Sequence, residues 1–594
     1  MRSAVGVRTR VLASSLAVAA LLLSAVPVDA EDAHSAAAKP DGCPAGNAGL
    51  KLPPGFCATV FADKIGHARH LVVAPNGAVY VNTWSGRYYG NDKLREEGFL
   101  VVLRDTKGTG RADVNIRFGD TAQMGSAGGT GIALYNGALY AEMNDRIVRY
   151  ALSKDSPAPA GKPEVVVSGL PLTGDHPMHP FVIDPQGAMY VDVASATNSC
   201  QKENRTADTP GMQPCTELET RGGIWRYDAN KTGQVFSPAE RYATGIRNAD
   251  GLALDPGSNT LYSTQHGRDQ LGDNWSRFYT PQQGAELPAE ELLKIRQGGD
   301  YGWPECYFDN KQDKLVLAPE YGGDGGKKVG VCAGKLAPVA AYPAHWAPND
   351  VTIYSGTQFP QVYRGGAFIA FHGSWNRAPF PQGGYNLVFQ PLANGKASAR
   401  YVIFADGFAG AQKEPGKAAH RPSGLAVGPD GALYVSDDQN GRIWRITYTG
   451  SDPAAKLATV APVSPPVGSA AAVAAKPPEG LHKDAGAAAL AVPPGSTAKA
   501  VALGRDIFAG RVGEAPCTGC HGSDGRGTPL GPDLTAGKWT WSDGSLAGLR
   551  KTITQGVPQP KNYRGAMPPM GGAQLSDAQA SAVAAYVWSL GHPQ

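Results

Sequence analysis

A hairpin pattern recurs along most of the chain and limits the fold more than any other feature. One copy, residues 71–81, has an apolar run, a turn at Pro75-Asn76-Gly77 and a second, alternating run. Related copies span residues 132–140, 181–191, 252–262 and 425–435, and residues 366–371 form a degenerate copy after a long insertion. Such runs around a Pro/Gly turn predict β-hairpins. Their repetition, which a β-sandwich lacks, predicts an all-β propeller of about six blades over residues 50–448.

Length and composition agree with a β-rich body and more than one domain. The chain has 594 residues, with 76 Gly and 47 Pro, which favours many turns. Hydrophobic residues make up 42% and charged residues 18%, as in globular proteins. A net charge of +3 gives no bulk electrostatic case for binding nucleic acid.

The C-terminal part has a different pattern. Ala, Pro and Val dominate residues 449–495, which predicts an extended, semi-stiff linker. Residues 496–594 predict a second, small all-α domain, with one helix over residues 503–510. A second helix is predicted over residues 576–590, with Ser576 as its N-cap. The apolar residues on one face of this helix are Val583, Tyr586, Val587 and Leu590.

A Cys-x-x-Cys-His motif lies in the predicted helical domain. It consists of Cys517, Cys520 and His521, separated by Thr518 and Gly519. This spacing is typical of covalent c-type haem attachment, in which both thiols bind one haem and the histidine binds its iron. A zinc site would need two further ligands, and no second Cys/His pair lies nearby. The motif therefore predicts a cytochrome c domain with haem c.

The haem iron needs a second axial ligand. Met567 and Met570 lie in one Pro/Gly-rich segment before the last predicted helix. A thioether ligand raises the reduction potential of the haem relative to two histidines. Met567 resembles the ligand of small c-type cytochromes, where a Met-Pro loop precedes the last helix, so we favour it; Met570 and simple core packing remain alternatives.

The first 30 residues are typical of an export signal. Arg2, Arg8 and Arg10 form a basic region, residues 11–26 are apolar, and Val28 and Ala30 precede a cleavage site. An uncleaved anchor is the alternative. Residues 31–49 form an N-terminal arm, and no later segment is apolar enough to span a membrane. The sequence therefore predicts a periplasmic protein without a transmembrane segment in the mature chain.

Six further cysteines fall into three sequence-local pairs. In an oxidising compartment such pairs favour disulfides. The pairing that we predict is Cys43–Cys57, Cys200–Cys215 and Cys306–Cys332.

An ordered set of short motifs resembles the glucose/sorbosone dehydrogenase family. The set comprises Asp175-His176, Arg247-Asn248, His266-Gly267-Arg268-Asp269, Tyr301-Gly302-Trp303-Pro304, His372 to Arg377, and Arg421-Pro422. The sequence His-Gly-Arg-Asp resembles the one that is usual in the sorbosone-like branch of this family. The resemblance covers residues 50–448 and implies a soluble quinoprotein with pyrroloquinoline quinone (PQQ) on a six-bladed propeller.

The resemblance also implies roles for site residues. His176, with Asp175 beside it, matches the catalytic base that removes a hydroxyl proton. His179 is the competing base, and it departs from the Arg that much of the family carries there. Arg247 would polarise the quinone carbonyl, and Asn248 would contact the cofactor or a neighbouring group.

Further cofactor contacts follow from the same resemblance. Arg377 and Arg421 would bind the carboxylates of PQQ. A Ca²⁺ ion is implied near Gln265 and His266, largely on backbone carbonyls. Asp269 would aid this ion or cap a turn, and the same holds for Asp273.

Together these features predict an exported quinohaemoprotein dehydrogenase. It would oxidise a sugar, a sorbosone-like sugar aldehyde or a polyol by hydride transfer to PQQ. Electrons would pass to the fused haem c and on to a downstream redox protein or a quinone-linked respiratory acceptor. The alternatives are a non-catalytic propeller that binds a sugar or a partner and carries an electron-transfer cytochrome, and a Ca²⁺-dependent lactone-hydrolysing propeller.

Overall fold

The computed structural model describes most of the propeller and the C-terminal helical region. The described residues are 43–86, 97–119, 126–127, 129–153, 156–159, 161–377, 380–414, 417–452, 456–460, 490–508, 517–521, 525, 527, 531–557, 567, 569–572 and 575–592. The predicted signal peptide and most of the predicted linker lie outside these residues.

Six sheets, each with four antiparallel main strands, form the blades of a propeller, which confirms the predicted fold class; three of them gain a further two-residue strand. Blade 1 consists of His67–Val73, Val79–Gly86, Leu100–Arg104 and Val114–Phe118. Blade 2 consists of Ile132–Tyr135, Ala138–Met143, Arg146–Ala151 and Glu164–Ser168. Blade 3 consists of Phe181–Ile183, Ala188–Val193, Gly223–Asp228 and Arg241–Thr244. Blade 4 consists of Leu252–Leu254, Leu261–Gln265, Glu290–Ile295 and Ala340–Tyr342.

The last two blades complete the ring. Blade 5 consists of Pro348–Ile353, Ala367–Phe371, Asn386–Gln390 and Val402–Ala405. Blade 6 consists of Phe56–Ala62, Pro422–Val427, Leu433–Asp437 and Ile443–Tyr448. The N-terminal strand of blade 6 pairs antiparallel with its C-terminal strand, from Phe56 opposite Tyr448 to Ala62 opposite Ile443. Strands from both ends of the propeller region thus complete the last blade and close the ring, which leaves only short sheet edges.

The predicted hairpins at residues 71–81, 132–140, 181–191 and 252–262 coincide with the first two strands of blades 1 to 4, and the one at residues 425–435 lies in blade 6. Residues 366–371 form only one strand of blade 5. Apolar side chains from neighbouring sheets pack against one another to form the core; between blades 2 and 3 these include Ile147, Met189 and Trp225. In the hairpin at residues 71–81, Gly77 adopts a φ of 79°, a conformation that glycine reaches without strain. The repeat in the sequence is therefore the repeat of the blade.

Short elements lie in the connections around the blades. The two-residue strands are Ser126–Ala127, Gln234–Val235, Gly299–Asp300, Leu392–Ala393 and Lys396–Ala397. Cys306–Asp309 and Lys314–Leu317 form a separate hairpin. The short helices are Leu271–Asn274 and Pro281–Glu286, with 3₁₀ turns at Asn47–Gly49, Thr216–Glu219, Pro238–Glu240, Pro319–Tyr321, Gly330–Gly334 and Gln361–Tyr363.

All three predicted disulfides are present. The structure joins Cys43 to Cys57, Cys200 to Cys215, and Cys306 to Cys332. The second and third of them anchor the two long insertions, in blade 3 and blade 4.

The C-terminal region is helical, as predicted. Its elements are Ala498–Phe508, Cys517–His521, Leu546–Gln555 and Asp577–Leu590, with a 3₁₀ turn at Pro569–Gly572. Ser576 caps the last helix by accepting a hydrogen bond from the Gln579 N–H, and the predicted apolar face is buried. The first helix begins at Ala498, five residues before the predicted Leu503, where the Thr497 hydroxyl accepts a hydrogen bond from the Ala500 N–H in the first turn. Within the described ranges, no helix has the length and apolar character needed to cross a membrane.

Candidate active site and haem site

His176 has one ring nitrogen fixed by the fold. It lies in the loop before strand Phe181–Ile183, and its Nδ1 is 2.8 Å from the carbonyl oxygen of Ser195. A carbonyl only accepts, so Nδ1 carries the proton and Nε2 keeps its lone pair. Burial, followed by the charge of Arg247, lowers the pKa of His176 to about 3, against the opposing effect of Asp175. The imidazole is therefore neutral at neutral pH.

Arg247 is buried in the segment between blades 3 and 4. Its N–H donates to Gln265 Oε1 at 2.9 Å, and its carbonyl accepts from the Ser195 N–H at 2.7 Å. The guanidinium donates from Nε to the Asn198 carbonyl at 3.0 Å and from Nη1 to the Gly267 carbonyl at 3.2 Å. Because Ser195 also contacts His176, the predicted base and Arg247 are both held by the same residue.

Asp269 is the centre of an ion-pair network around Arg247. Its Oδ2 accepts from Arg247 Nη2 and from Arg205 Nη2, both at 3.0 Å. Its Oδ1 accepts from Asn376 Nδ2 at 2.6 Å. Arg205 Nε donates to Asp175 Oδ2 at 3.0 Å, so cations and carboxylates alternate from Asp175 to Arg247. Burial opposes ionisation of Asp269, but Arg247 and then Arg205 outweigh it and hold the pKa of Asp269 below its usual range.

The sequence analysis missed Arg205 and Asn198. Both belong to the insertion of blade 3, and Arg205 lies between Cys200 and Cys215, within the loop that their disulfide closes. The cysteine spacing was the available signal, because a disulfide-closed loop beside His176 indicates a loop held in one conformation. It gave no indication of where the loop places its side chains.

The region predicted to bind calcium lies beside Arg247. The Gln265 side chain accepts from the Arg247 N–H, and His266 Nε2 lies 3.1 Å from the Pro348 carbonyl. The His266 N–H donates to the carbonyl of Asn248, which places these two predicted residues next to each other. In the described part of the chain, no cluster of three or more His, Cys, Asp or Glu side chains is placed to hold a metal ion. Calcium binding on carbonyls stays a prediction.

Two buried glutamates support this region. Glu290 accepts from the Gly267 N–H at 2.9 Å and from the Ala347 N–H at 3.1 Å. Burial raises the pKa of Glu290 and that of Glu291 to about 8, and hydrogen bonding between Glu291 and Gln265 opposes the rise. Glu291 Oε2 is buried without a hydrogen-bond partner among the described residues.

Arg421 and Arg377 lie on loops at blades 5 and 6. Arg421 donates from Nε to the His372 carbonyl at 3.1 Å and from Nη2 to the Gly373 carbonyl at 2.7 Å. Arg377 donates to the backbone carbonyls of Ala285, Ala344 and Pro381. Both arginines therefore hold loops in place, and their contacts with a cofactor stay predictions.

His179, the competing base, is placed differently from His176. Its N–H donates to Glu142 Oε1 at 2.7 Å, and its Nδ1 lies 3.4 Å from the same oxygen. It is fully buried. His176, in contrast, contacts Ser195, and the charge of Arg247 lowers its pKa.

The haem motif lies on a short helix, Cys517–His521. His521 Nδ1 is 3.1 Å from the Pro532 carbonyl, to which it donates, so Nε2 is left as an iron ligand. Neither motif cysteine belongs to a disulfide. A cavity beside the motif is lined largely by apolar side chains, among them Phe508, Leu534, Trp539, Leu549, Ile553 and Val587. This donor set and lining fit a covalently attached haem.

Both candidate methionines line the haem cavity. Met567 exchanges two backbone hydrogen bonds with Val557, of 2.8 and 3.0 Å, which fixes its position. Met570 adopts a left-handed φ of 55° in the turn Pro569–Gly572. The preference for Met567 stays a prediction.

Comparison with protein families divides the chain at the same place. The profile of the TrAA12-like family matches residues 50–449. The profile of cytochrome c oxidase, cbb3-type, subunit III matches residues 502–587.

Several curated proteins are similar to parts of the chain. A pyrroloquinoline quinone-dependent pyranose dehydrogenase of Coprinopsis cinerea is 26% identical over 34% of this chain and 30% of its own length. Aldose sugar dehydrogenase YliI of Escherichia coli is 24% identical over 46% of this chain and 61% of its own length. The oxidase subunit FixP of Rhizobium etli is 36% identical over 12% of this chain and 26% of its own length. The match thus spans less than two thirds of each relative.

Solved structures agree on the fold. A Trichoderma reesei carbohydrate-active enzyme of family AA12 superimposes with a TM-score of 0.53 at 18% identity, covering 69% of this chain and 100% of that chain. The holo PQQ domain of the Coprinopsis cinerea pyranose dehydrogenase gives 0.52 at 18% identity, covering 67% and 97%. At this identity the likeness shows the propeller fold. Since the TrAA12-like profile matches more than half of the residues, the chain belongs to the TrAA12-like family and carries a cytochrome c domain of the cbb3 subunit III type.

Proposed function

We propose that the chain is an exported, PQQ-dependent sugar dehydrogenase that passes electrons to its own haem c. The observation that carries the proposal is His176, a neutral imidazole with an available Nε2, fixed beside the buried cation Arg247. A propeller that only binds a sugar needs no base next to a cation. The names of the pyranose and aldose dehydrogenases similar to this chain support the same chemistry.

The residues suggest how the chain acts on an alcohol or a hydrated aldehyde. His176 Nε2 takes the hydroxyl proton of the substrate, and Asp175 stabilises the resulting imidazolium. Arg247 stabilises negative charge that develops at the reacting oxygen atoms. PQQ, when bound, would accept the hydride from the carbon atom that carries this hydroxyl group. Arg247, Arg377 and Arg421 are the cations that would hold it, with Asn248 nearby and Ca²⁺ on carbonyls near Gln265 and His266.

The electron path rests on the cytochrome domain. Haem c, when bound to Cys517 and Cys520, relays single electrons. The downstream acceptor we propose is a periplasmic redox protein or a quinone-linked respiratory enzyme, and the first substrate to test is L-sorbosone.

The absorbance of reduced haem tests this function in the purified full-length protein. We expect L-sorbosone or an aldose to reduce the haem only when PQQ and Ca²⁺ are supplied. His176→Gln should slow haem reduction by about 100-fold or more, because it removes the base. His179→Gln is the matched control, since it changes a histidine outside this constellation, and it should keep most of the rate.

Two results would count against the proposal. One is that no sugar reduces the haem although dithionite does and PQQ is bound. The other is that His176→Gln and His179→Gln slow the reaction equally.

A further inference from the structure

Arg205 is the only side chain of the described residues that pairs with both Asp175 and Asp269. Its Nη2 lies 2.9 Å from Asp175 Oδ2 and 3.0 Å from Asp269 Oδ2. Its Nη1 donates to Gln270 Oε1 at 3.0 Å. The guanidinium therefore links the carboxylate beside the base His176 to the carboxylate that holds Arg247.

The loop that carries Arg205 is built independently of any ligand. The Cys200–Cys215 disulfide closes it, and the Arg205 N–H donates to Gln201 Oε1 at 3.0 Å. Gln201 Nε2 in turn donates to the carbonyls of Thr206 and Thr209. Arg205 has a left-handed φ of 59°, which these bonds maintain. Such a loop presents its guanidinium in one place before substrate arrives.

Arg205 also belongs to the set of charges that face His176. Arg247 and Arg205 disfavour the imidazolium form, Asp175 favours it, and His266 lies close enough to interact electrostatically with His176. Removing Arg205 leaves one cation, Arg247, for two buried carboxylates, so the surroundings of His176 become more negative.

We propose that Arg205 is a positioning residue, which fixes the base side of the site relative to Arg247. This inference rests on the proposed function and deepens it. Arg205 touches neither the hydroxyl proton nor the base itself, and it acts through Asp175 on His176 and through Asp269 on Arg247. Its loss should thus alter both proton transfer and cofactor binding.

The test compares Arg205→Gln, Arg205→Lys and Arg445→Gln in the full chain. Arg445 is the matched control, because it forms an ion pair with Asp430 and is about as buried, with 14% of its side chain exposed against 10% for Arg205. For Arg205→Gln we expect kcat to fall about 100-fold. The acidic limb of its pH profile should move to higher pH, since the pKa of His176 rises. Arg205→Lys should restore the pH profile, and Arg445→Gln should match the wild type.

A second readout is independent of turnover. The affinity of the protein for PQQ, measured by quenching of tryptophan fluorescence, should fall in Arg205→Gln because Arg247 loses its orientation. An unmoved pH profile together with unchanged PQQ affinity would overturn the proposal and leave Arg205 a structural residue. If the wild type oxidises no sugar, the proposed function fails, and PQQ affinity alone decides: a lower affinity in Arg205→Gln supports the positioning role, and an equal one refutes it.

Discussion

The proposed propeller site and the haem site differ in how their side chains are prepared for a cofactor. Around Arg247 and Asp269 the site consists of arginine and aspartate side chains that form ion pairs with each other. Around Cys517 and His521 it is a cavity lined by apolar side chains. Paired charges need no ligand to be satisfied, whereas an apolar cavity loses packing when it is empty. The first site is thus preorganised, and the second depends on its haem for structure.

Preventing haem attachment should change the stability of the two sites most unequally. In the double variant Cys517→Ala/Cys520→Ala we expect the cytochrome domain to lose its cooperative unfolding transition, because its core then surrounds a cavity. The propeller should keep its own transition, since the core clusters that hold it together lie between its own blades. Differential scanning calorimetry of the full chain measures both.

The wild-type holoprotein is the reference for this experiment. An unchanged transition of the cytochrome domain in the double variant would break the contrast, because the apolar cavity would then be stable without haem.

Replacing Met567, the predicted axial ligand, should have a smaller effect, confined to the haem. Met567→Leu keeps the apolar volume but removes a thioether, so the reduction potential should fall, while the propeller site keeps its affinity for PQQ. Met570→Leu is the matched control from the same cavity and should leave the potential near the wild-type value. Redox titration of the haem absorbance measures the potential of both variants. A larger fall in Met570→Leu than in Met567→Leu would identify Met570 as the axial ligand.

The same contrast explains what could be predicted from the sequence. The ligands Cys517, Cys520 and His521 lie within five residues, and one motif names them. The blades could be predicted because each contains the same local hairpin pattern. Arg205 and Asn198 could not be predicted, because their contacts with Asp269 form only when the fold brings different blades together. The helix Leu546–Gln555 was also missed, although Leu546, Leu549 and Ile553 all pack into the core and Ser545 caps its first turn.

Glu291 is a buried carboxylate outside the ion-pair network, and its replacement should give the smallest and most specific effect. It is buried beside the Gln265 region, and its pKa is raised from 4.5 to about 8. The folded state therefore holds a proton that the unfolded state releases above pH 4.5, so this contribution to stability is complete below pH 4.5 and is lost as pH rises through 8. Glu291→Gln keeps a neutral side chain at all pH values. Relative to the wild type it should be equally stable at pH 4 and more stable near pH 8, by up to about 4 kcal/mol.

Thermal unfolding of the propeller between pH 4 and pH 9 measures this difference. Glu164→Gln is the control, because Glu164 is exposed and pairs with Arg149 at the surface, so its replacement should leave the pH dependence unchanged. Parallel curves for Glu291→Gln and the wild type would mean that Glu291 is ionised in the folded protein. The propeller site would then hold an unpaired buried charge, and its contrast with the haem site would no longer rest on complete pairing.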